Sequence, residues 1–98
     1  MTIYTLGLWR VKEGHEEAFV SAWGALADRT KVDFPEANAT LLRDQDDPRL
    51  FVSSGPWYSA ERVAEWRASA AFTESVAAIR EHLESFEPHT MDLTLSVD

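Results

Sequence analysis

Seven side chains of this 98-residue sequence could act on a small organic molecule: Trp9, Trp57 and Trp66, with Tyr4, Asn38, His82 and His89. Indole and phenol rings offer flat apolar walls to a planar guest. An imidazole or amide beside such walls could take a proton from a guest hydroxyl or hold it by a hydrogen bond. On this reading His82 and Asn38 are candidates for the proton chemistry, and Trp66, Trp9, Trp57, Tyr4 and His89 for contact with the guest. Each has a plainer alternative. His82 borders the apolar stripe around Ile79 and Leu83 without belonging to it, Trp57 at a strand end could simply pack, and Trp66 either lines a cavity or fills core. Trp23 falls on the apolar face of a helix and reads as core, and His15 at a helix start reads as solvated.

Other chemistries lack their residues. With no cysteine there is no thiol nucleophile, no disulfide framework and no thiolate metal site. No histidine pair sits four apart on a helix and no carboxylates reinforce a histidine at ligand spacing, so no metal is expected. No serine occupies a strand-to-helix nucleophile turn and no glycine-rich phosphate loop is present. Asp46-Asp47 reads as turn chemistry, and Glu61, Arg62, Glu65, Arg80, Glu81 and Glu84 as solvated helix faces.

The elements that must position these side chains follow from periodicity. Ile3 to Val11 is β-branched and aromatic, ending at Lys12-Glu13-Gly14, and reads as a strand. Phe19, Trp23, Leu26 and Ala27 recur at helical spacing after acidic Glu16 and Glu17, which predicts a helix over about 15–30. Phe34-Pro35 blocks its continuation. Ala37 to Asp44 and Leu50 to Pro56 read as a hairpin turning on Gln45-Asp46-Asp47-Pro48. Ser59 is a candidate N-cap for a short helix over about 60–67. A second helical segment, about 70–84, places Phe72, Val76, Ile79 and Leu83 on one face and is ended by Pro88. His89 to Val97 alternates, with Met91, Leu93, Leu95 and Val97 on one side, and reads as the last strand.

The order is β-α-β-β-α-β, an α+β plan of ferredoxin-like topology with a four-stranded antiparallel sheet in one domain spanning 1–98. Its first and third strands are central. The first carries Ile3, Trp9 and Val11 on one face and Tyr4, Leu6 and Leu8 on the other; the third carries Leu50 and Val52 against Phe51 and Trp57. Strands apolar on both faces need cover on both, and the helices supply only one layer. A second copy of the chain is the economical cover for the other face, so a homodimer is expected.

The formal net charge of −8, from seventeen acidic and nine scattered basic residues, argues against nucleic acid or an anionic membrane as partner. No apolar run reaches the length of a membrane span and the N-terminus lacks a signal-like pattern, so a cytoplasmic protein is expected.

Several segments, taken together and in order, resemble the antibiotic-biosynthesis monooxygenase family. Trp9-Arg10-Val11-Lys12-Glu13-Gly14 with Glu16-Glu17-Ala18-Phe19 looks like that family's first strand and helix start. Leu41-Leu42-Arg43-Asp44, Asp47-Pro48 and Phe51 are similar to its hairpin. Gly55-Pro56-Trp57-Tyr58-Ser59-Ala60-Glu61 resembles its strand-to-helix junction, and Glu65-Trp66-Arg67-Ala68-Ser69 with Phe72 a site where members often carry His or Trp, then Ser and Phe. The resemblance implies a dimeric α/β barrel, two sheets face to face with helices outside, and a pocket in each monomer between sheet and helices.

It also implies a reaction class. A cofactor-independent oxygenase holds a phenol or quinol, or a polyketide-like aromatic, against aromatic walls, deprotonates it so that the anion can reduce O₂, and shields it from water. The family's haem-degrading branch uses an Asn on the first strand, a Trp in the second helical region and a His ten residues later. Here Trp66 matches, but the Asn position falls on Gly7 and the His position on Val76, so neither haem nor another cofactor is expected. Two readings stay open: a cofactor-free monooxygenase, or a non-catalytic dimer that binds a small aromatic molecule or assists a pathway.

Overall fold

Alternation along β1 (Ile3–Val11) divides the molecule: Ile3, Gly7, Trp9 and Val11 are buried, and the intervening Tyr4, Leu6, Leu8 and Arg10 are half-buried. The computed structural model describes residues 2–98. The chain continues through α1 (Glu16–Asp33), β2 (Thr40–Arg43), β3 (Leu50–Trp57), α2 (Ala60–Ala68), α3 (Ala70–Ile79), a 3₁₀ turn at Arg80–His82 and β4 (Leu83–Asp92). The strands form one antiparallel sheet in the order β2-β3-β1-β4. This is the ferredoxin-like α+β arrangement, with the first and third strands central.

The register sets which side chains meet. Trp9 pairs with Phe51 on β3 and Phe86 on β4, and Ile3 with Trp57, all on the face that the helices cover. Phe19 and Leu26 of α1 and Val76 and Ile79 of α3 pack onto Trp9, Val11 and Phe51 as the main core. A second cluster joins Phe34, Ala37, Trp57 and Val63 with Ile3. Helix boundaries follow local chemistry. The Ser59 hydroxyl accepts from Arg62 N–H and starts α2, as its N-cap position suggested, and Ser69 accepts from Phe72 N–H and starts α3.

Three boundaries differ from the sequence reading. Strand β2 is shorter than 37–44, because Ala37 is buried in the second cluster and its N–H is bonded to Phe34 O, which makes that segment a turn. The segment expected to be helical to about residue 84 ends with the 3₁₀ turn, and β4 starts at Leu83, not His89. Pro88 therefore sits within a strand, opposite Gly7; an edge strand tolerates a residue without an N–H. The alternating segment beyond Asp92 is exposed, Leu95 and Val97 by 80% and 89%, with Leu93 N–H bonded to Thr2 O. Its alternation is real, but among the described residues nothing covers it.

All three helices lie on one side of the sheet. The other side presents Tyr4, Leu6, Leu8, Leu42, Val52 and Met91 with no covering layer among the described residues, Leu42 and Met91 being exposed by 56% and 42%.

Candidate functional site

Between the covered face of the sheet and the helices lies a cavity of about 320 Å³. Its floor is β1, β3 and β4 around Gly7, Trp9, Ser53 and Phe86, and its roof is Trp23, Leu26 and Thr30 of α1 with Trp66 and Arg67 of α2 and Phe72 of α3. Two glycines make room for it. A Cβ on Gly7 would lie 2.7 Å from Ser53 Oγ and 2.8 Å from Trp9 Nε1, so the Trp9–Ser53 hydrogen bond passes directly over this residue. A Cβ on Gly55 would lie 1.9 Å from the main-chain oxygen of Asn38, so only glycine lets the segment leading into β2 cross the sheet there.

Three of the four tryptophans that line the cavity share one device. Each indole N–H donates to a hydroxyl: Trp9 to Ser53 at 2.9 Å, Trp66 to Thr30 at 2.9 Å and Trp57 to Thr5 at 3.3 Å. A buried indole needs such a partner, and the bond fixes the ring so that it presents an apolar face. Trp9 stacks on Phe86 at 3.9 Å between centroids, Trp66 tilts against Trp57 at 5.2 Å, and Phe72 meets Trp66 edge-on at 4.7 Å. Trp23, expected to be core alone, packs against the main cluster and also lines the cavity.

The charged groups of the lining are Arg67, Lys31 and Asp28. Arg67 donates from Nη2 to His89 O at 2.9 Å and from Nη1 to Thr90 Oγ1, tying α2 to the edge strand β4. Burial pushes its pKa below the usual arginine value, yet a guanidinium remains charged in a protein. Lys31 Nζ donates to Pro35 O and Ala37 O at 3.0 and 2.6 Å, holding the exit of α1. Beside the cavity, Arg62 binds Glu36 through Nε and Nη2 at 2.9 and 2.8 Å and lies 4.2 Å over the Phe34 ring. Those hydrogen bonds hold the Glu36 carboxyl below the ordinary carboxylate value.

The structure brings four of the seven candidate side chains to one place: Trp9, Trp57, Trp66 and Asn38 all line the cavity. Asn38 sits exposed at its end, with Nδ2 on Glu36 O at 3.3 Å. The other three lie elsewhere, which corrects their expected placement. His82 is in the 3₁₀ turn, its Nδ1 3.1 Å from Nδ1 of His15, one ring donating and the other accepting. That contact also gives His15, read as solvated, a partner. His89 pairs with Leu6, so its ring projects from the uncovered face, 3.6 Å from Glu87; only its carbonyl reaches Arg67. Tyr4 pairs with Met91 on that same face. The hydroxyls of Thr5, Thr30 and Ser53 were not singled out in the sequence. Thr30 could have been, since it falls seven residues after Trp23 on the same helix face. Among the described residues no three His, Asp or Glu side chains lie close enough together to hold a metal ion, and no helix is long and apolar enough to cross a membrane.

Comparison with known proteins adds the lineage. The family model for antibiotic biosynthesis monooxygenase matches residues 2–78. Among solved structures, a variant of SnoaB, a cofactor-independent oxygenase from Streptomyces nogalater, superposes with a TM-score of 0.86 at 18% identity, covering 98% of this chain and 96% of that one. An antibiotic biosynthesis monooxygenase superposes at 0.81 with 21% identity, over 95% and 99% of the two chains. A conserved protein from Methanosarcina mazei superposes at 0.83 with 15% identity, over 93% and 91%. Identities this low establish a shared fold. No curated protein matches in sequence.

Proposed function

The chain belongs to the antibiotic biosynthesis monooxygenase family, and from that premise we propose that it oxidises a small phenolic or quinol-type aromatic with O₂ and without a cofactor. The observation that carries this reading is the cavity walled by Trp9, Trp57 and Trp66, each ring fixed by a hydroxyl. Its volume of about 320 Å³ lies at the lower end of the range for organic ligands, which suits a fused two- or three-ring guest.

The protein's part is to hold, desolvate and ionise. The bound phenolate or enolate gives one electron to O₂, and the resulting carbon radical and superoxide combine as a hydroperoxide. Loss of water from an oxidised CH₂ then leaves a carbonyl. One oxygen atom stays on carbon, the other leaves as water, and all four electrons come from the substrate. No histidine lines the cavity among the described residues, so the substrate proton passes to water at the mouth, with Asn38 as hydrogen-bond partner. That lining also favours the second reading, a binding protein that performs no chemistry.

The test is a hydroxylated anthrone in an oxygen electrode. Catalysed uptake of one O₂ per molecule, with the quinone spectrum appearing, supports the oxygenase. Quenching of tryptophan fluorescence without uptake above background supports the binding protein, and neither response from a broad aromatic panel removes both.

The working unit in this proposal is a homodimer joined through the uncovered sheet face, supported by the row Tyr4, Leu6, Leu8 and Val52 left bare by the helices. A cytoplasmic location belongs to the same proposal and is checked by cell fractionation.

A further inference from the structure

Ser53 has a hydroxyl whose oxygen is engaged and whose proton is not. Its Oγ accepts the indole N–H of Trp9 at 2.9 Å. A serine hydroxyl also carries one donor, and among the described residues no acceptor lies within hydrogen-bond reach of it. Ser53 lies on the covered face of β3, half-buried in the cavity floor, and Gly7, its partner across to β1, has no side chain to shut it in. The other two hydroxyls that hold an indole differ. Thr30 is nearly sealed at 5% exposure, and the Thr5 contact is the longest of the three at 3.3 Å. Accepting from an N–H polarises an O–H and makes it a stronger donor. The cations of the lining are engaged elsewhere, Lys31 Nζ with Pro35 O and Ala37 O, and the Arg67 Nη groups with β4. An uncharged acceptor oxygen is therefore the group that suits the Ser53 donor.

Resting on the cavity reading above, we propose that the Ser53 hydroxyl is the cavity's recognition point for a ring carbonyl. Its O–H donates to an uncharged C=O of the guest, and the Trp9 N–H behind it holds the oxygen in place. The site then selects a fused-ring aryl ketone over a hydrocarbon or aryl ether of the same shape. A carbonyl oxygen accepts well because its lone pairs are localised, whereas the oxygen of an ether or phenol shares a lone pair with the ring. The aromatic walls supply affinity, and Ser53 supplies register by turning the carbonyl edge of the guest toward β3. A guest without that oxygen leaves the Ser53 proton unpartnered in a desolvated wall, and that loss is the larger part of the discrimination.

The experiment uses the intact protein with two neutral probes of one shape, fluorenone and fluorene, which differ by C=O against CH₂ and do not ionise in water. Quenching of tryptophan fluorescence gives their affinities, and infrared difference spectra give the stretch of the bound carbonyl. In the wild type that band should lie below its position in an alkane, because a hydrogen bond lowers it. Ser53→Ala should weaken fluorenone roughly three- to tenfold, the net scale of one hydrogen bond, and return the band toward its alkane position. Fluorene should bind both forms within a factor of about two, as aromatic packing is unchanged. Ser53→Thr keeps the hydroxyl and should restore both the affinity and the band. Ser53→Ala also leaves the Trp9 N–H without its acceptor, so urea unfolding of each variant is measured beside binding. Should Ser53→Ala not fold, Ser53→Cys keeps an acceptor for Trp9, replaces the O–H by a weaker S–H donor, and is read by the same band.

Equal weakening of both probes would make Ser53 a wall residue and overturn the assignment, as would a wild-type carbonyl band at its alkane position. Either result with oxygen uptake from the hydroxylated anthrone intact removes this inference alone. Failure of the wild type to bind fluorenone or fluorene removes it together with the cavity reading.

Discussion

Trp66 and Thr30 meet across the roof of the cavity, the indole N–H of α2 donating to the threonine hydroxyl of α1 at 2.9 Å over a sequence separation of 36. Thr30 is the one buried polar residue of the described core, 5% exposed, and Trp66 is its side-chain partner. Substitution at either end therefore separates packing from polarity. Trp66→Ala should cost about 3–5 kcal/mol in urea denaturation and abolish ligand quenching. Trp66→Phe should cost about 0.5–1.5 kcal/mol for the lost bond while keeping much of the binding. A Trp66→Ala variant that loses stability but keeps its ligand response would assign the ring to packing.

Gly7→Ala should destabilise by about 1–3 kcal/mol, since the added methyl meets Ser53 Oγ and Trp9 Nε1 inside contact distance and those side chains must separate. Because the displaced ring is a cavity wall, ligand affinity should fall with it. Gly55→Ala should be worse, its obstacle being main-chain oxygen rather than a side chain that can turn. Thermal melts of the two variants rank them, and equal stability would contradict the close crossing at Asn38.

Sedimentation at low micromolar concentration should give about twice the 11.1 kDa chain mass. Leu8→Glu places a charge in the middle of the uncovered face, between Val52 and Glu87, and should shift the protein toward monomer without unfolding it. A wild-type monomer at that concentration would remove the face-to-face pairing.

Acid should weaken the fold through Glu36 and Asp47. Hydrogen bonds from Arg62 and Arg10, respectively, hold these carboxyls below their ordinary values. A depressed folded-state value means that the stabilisation is complete above the unfolded value and is lost as pH falls through the folded one. The midpoint of urea unfolding should therefore be flat above about pH 5 from these groups and decline below roughly pH 4. Glu36→Gln should decline less over that interval, and an unchanged acid limb would show that the Arg62 contact contributes nothing to folding.

Much of the architecture was legible because Ile3 to Val11 is β-branched and aromatic with both faces apolar, and because α1 keeps one apolar face from Phe19 to Ala27. The last strand was not. Leu83 to Pro88 turns Leu83, Phe86 and Pro88 toward the helices, and a proline there reads as a stop until the segment is known to be an edge. Leu93 to Val97 then supplied a cleaner alternation where no sheet exists. The site divides similarly. Tryptophans at a strand and helix junction are visible as an aromatic excess, and three of them do converge. The side on which His89 or Tyr4 projects depends on pairing register, which composition does not encode. Ser53 was not singled out, because the place of its hydroxyl beside Trp9 and Gly7 exists only once β1 pairs with β3.

The pairing of Trp57 with Trp66, centroids 5.2 Å apart and planes inclined by 33°, has an optical consequence. Two indoles that close and fixed in a chiral setting couple their electronic transitions, so circular dichroism should carry a signed exciton couplet that Trp66→Phe or Trp57→Phe abolishes. A guest entering the cavity must perturb that coupling. The protein thus carries its own unlabelled spectroscopic gauge of whether the cavity is empty or filled.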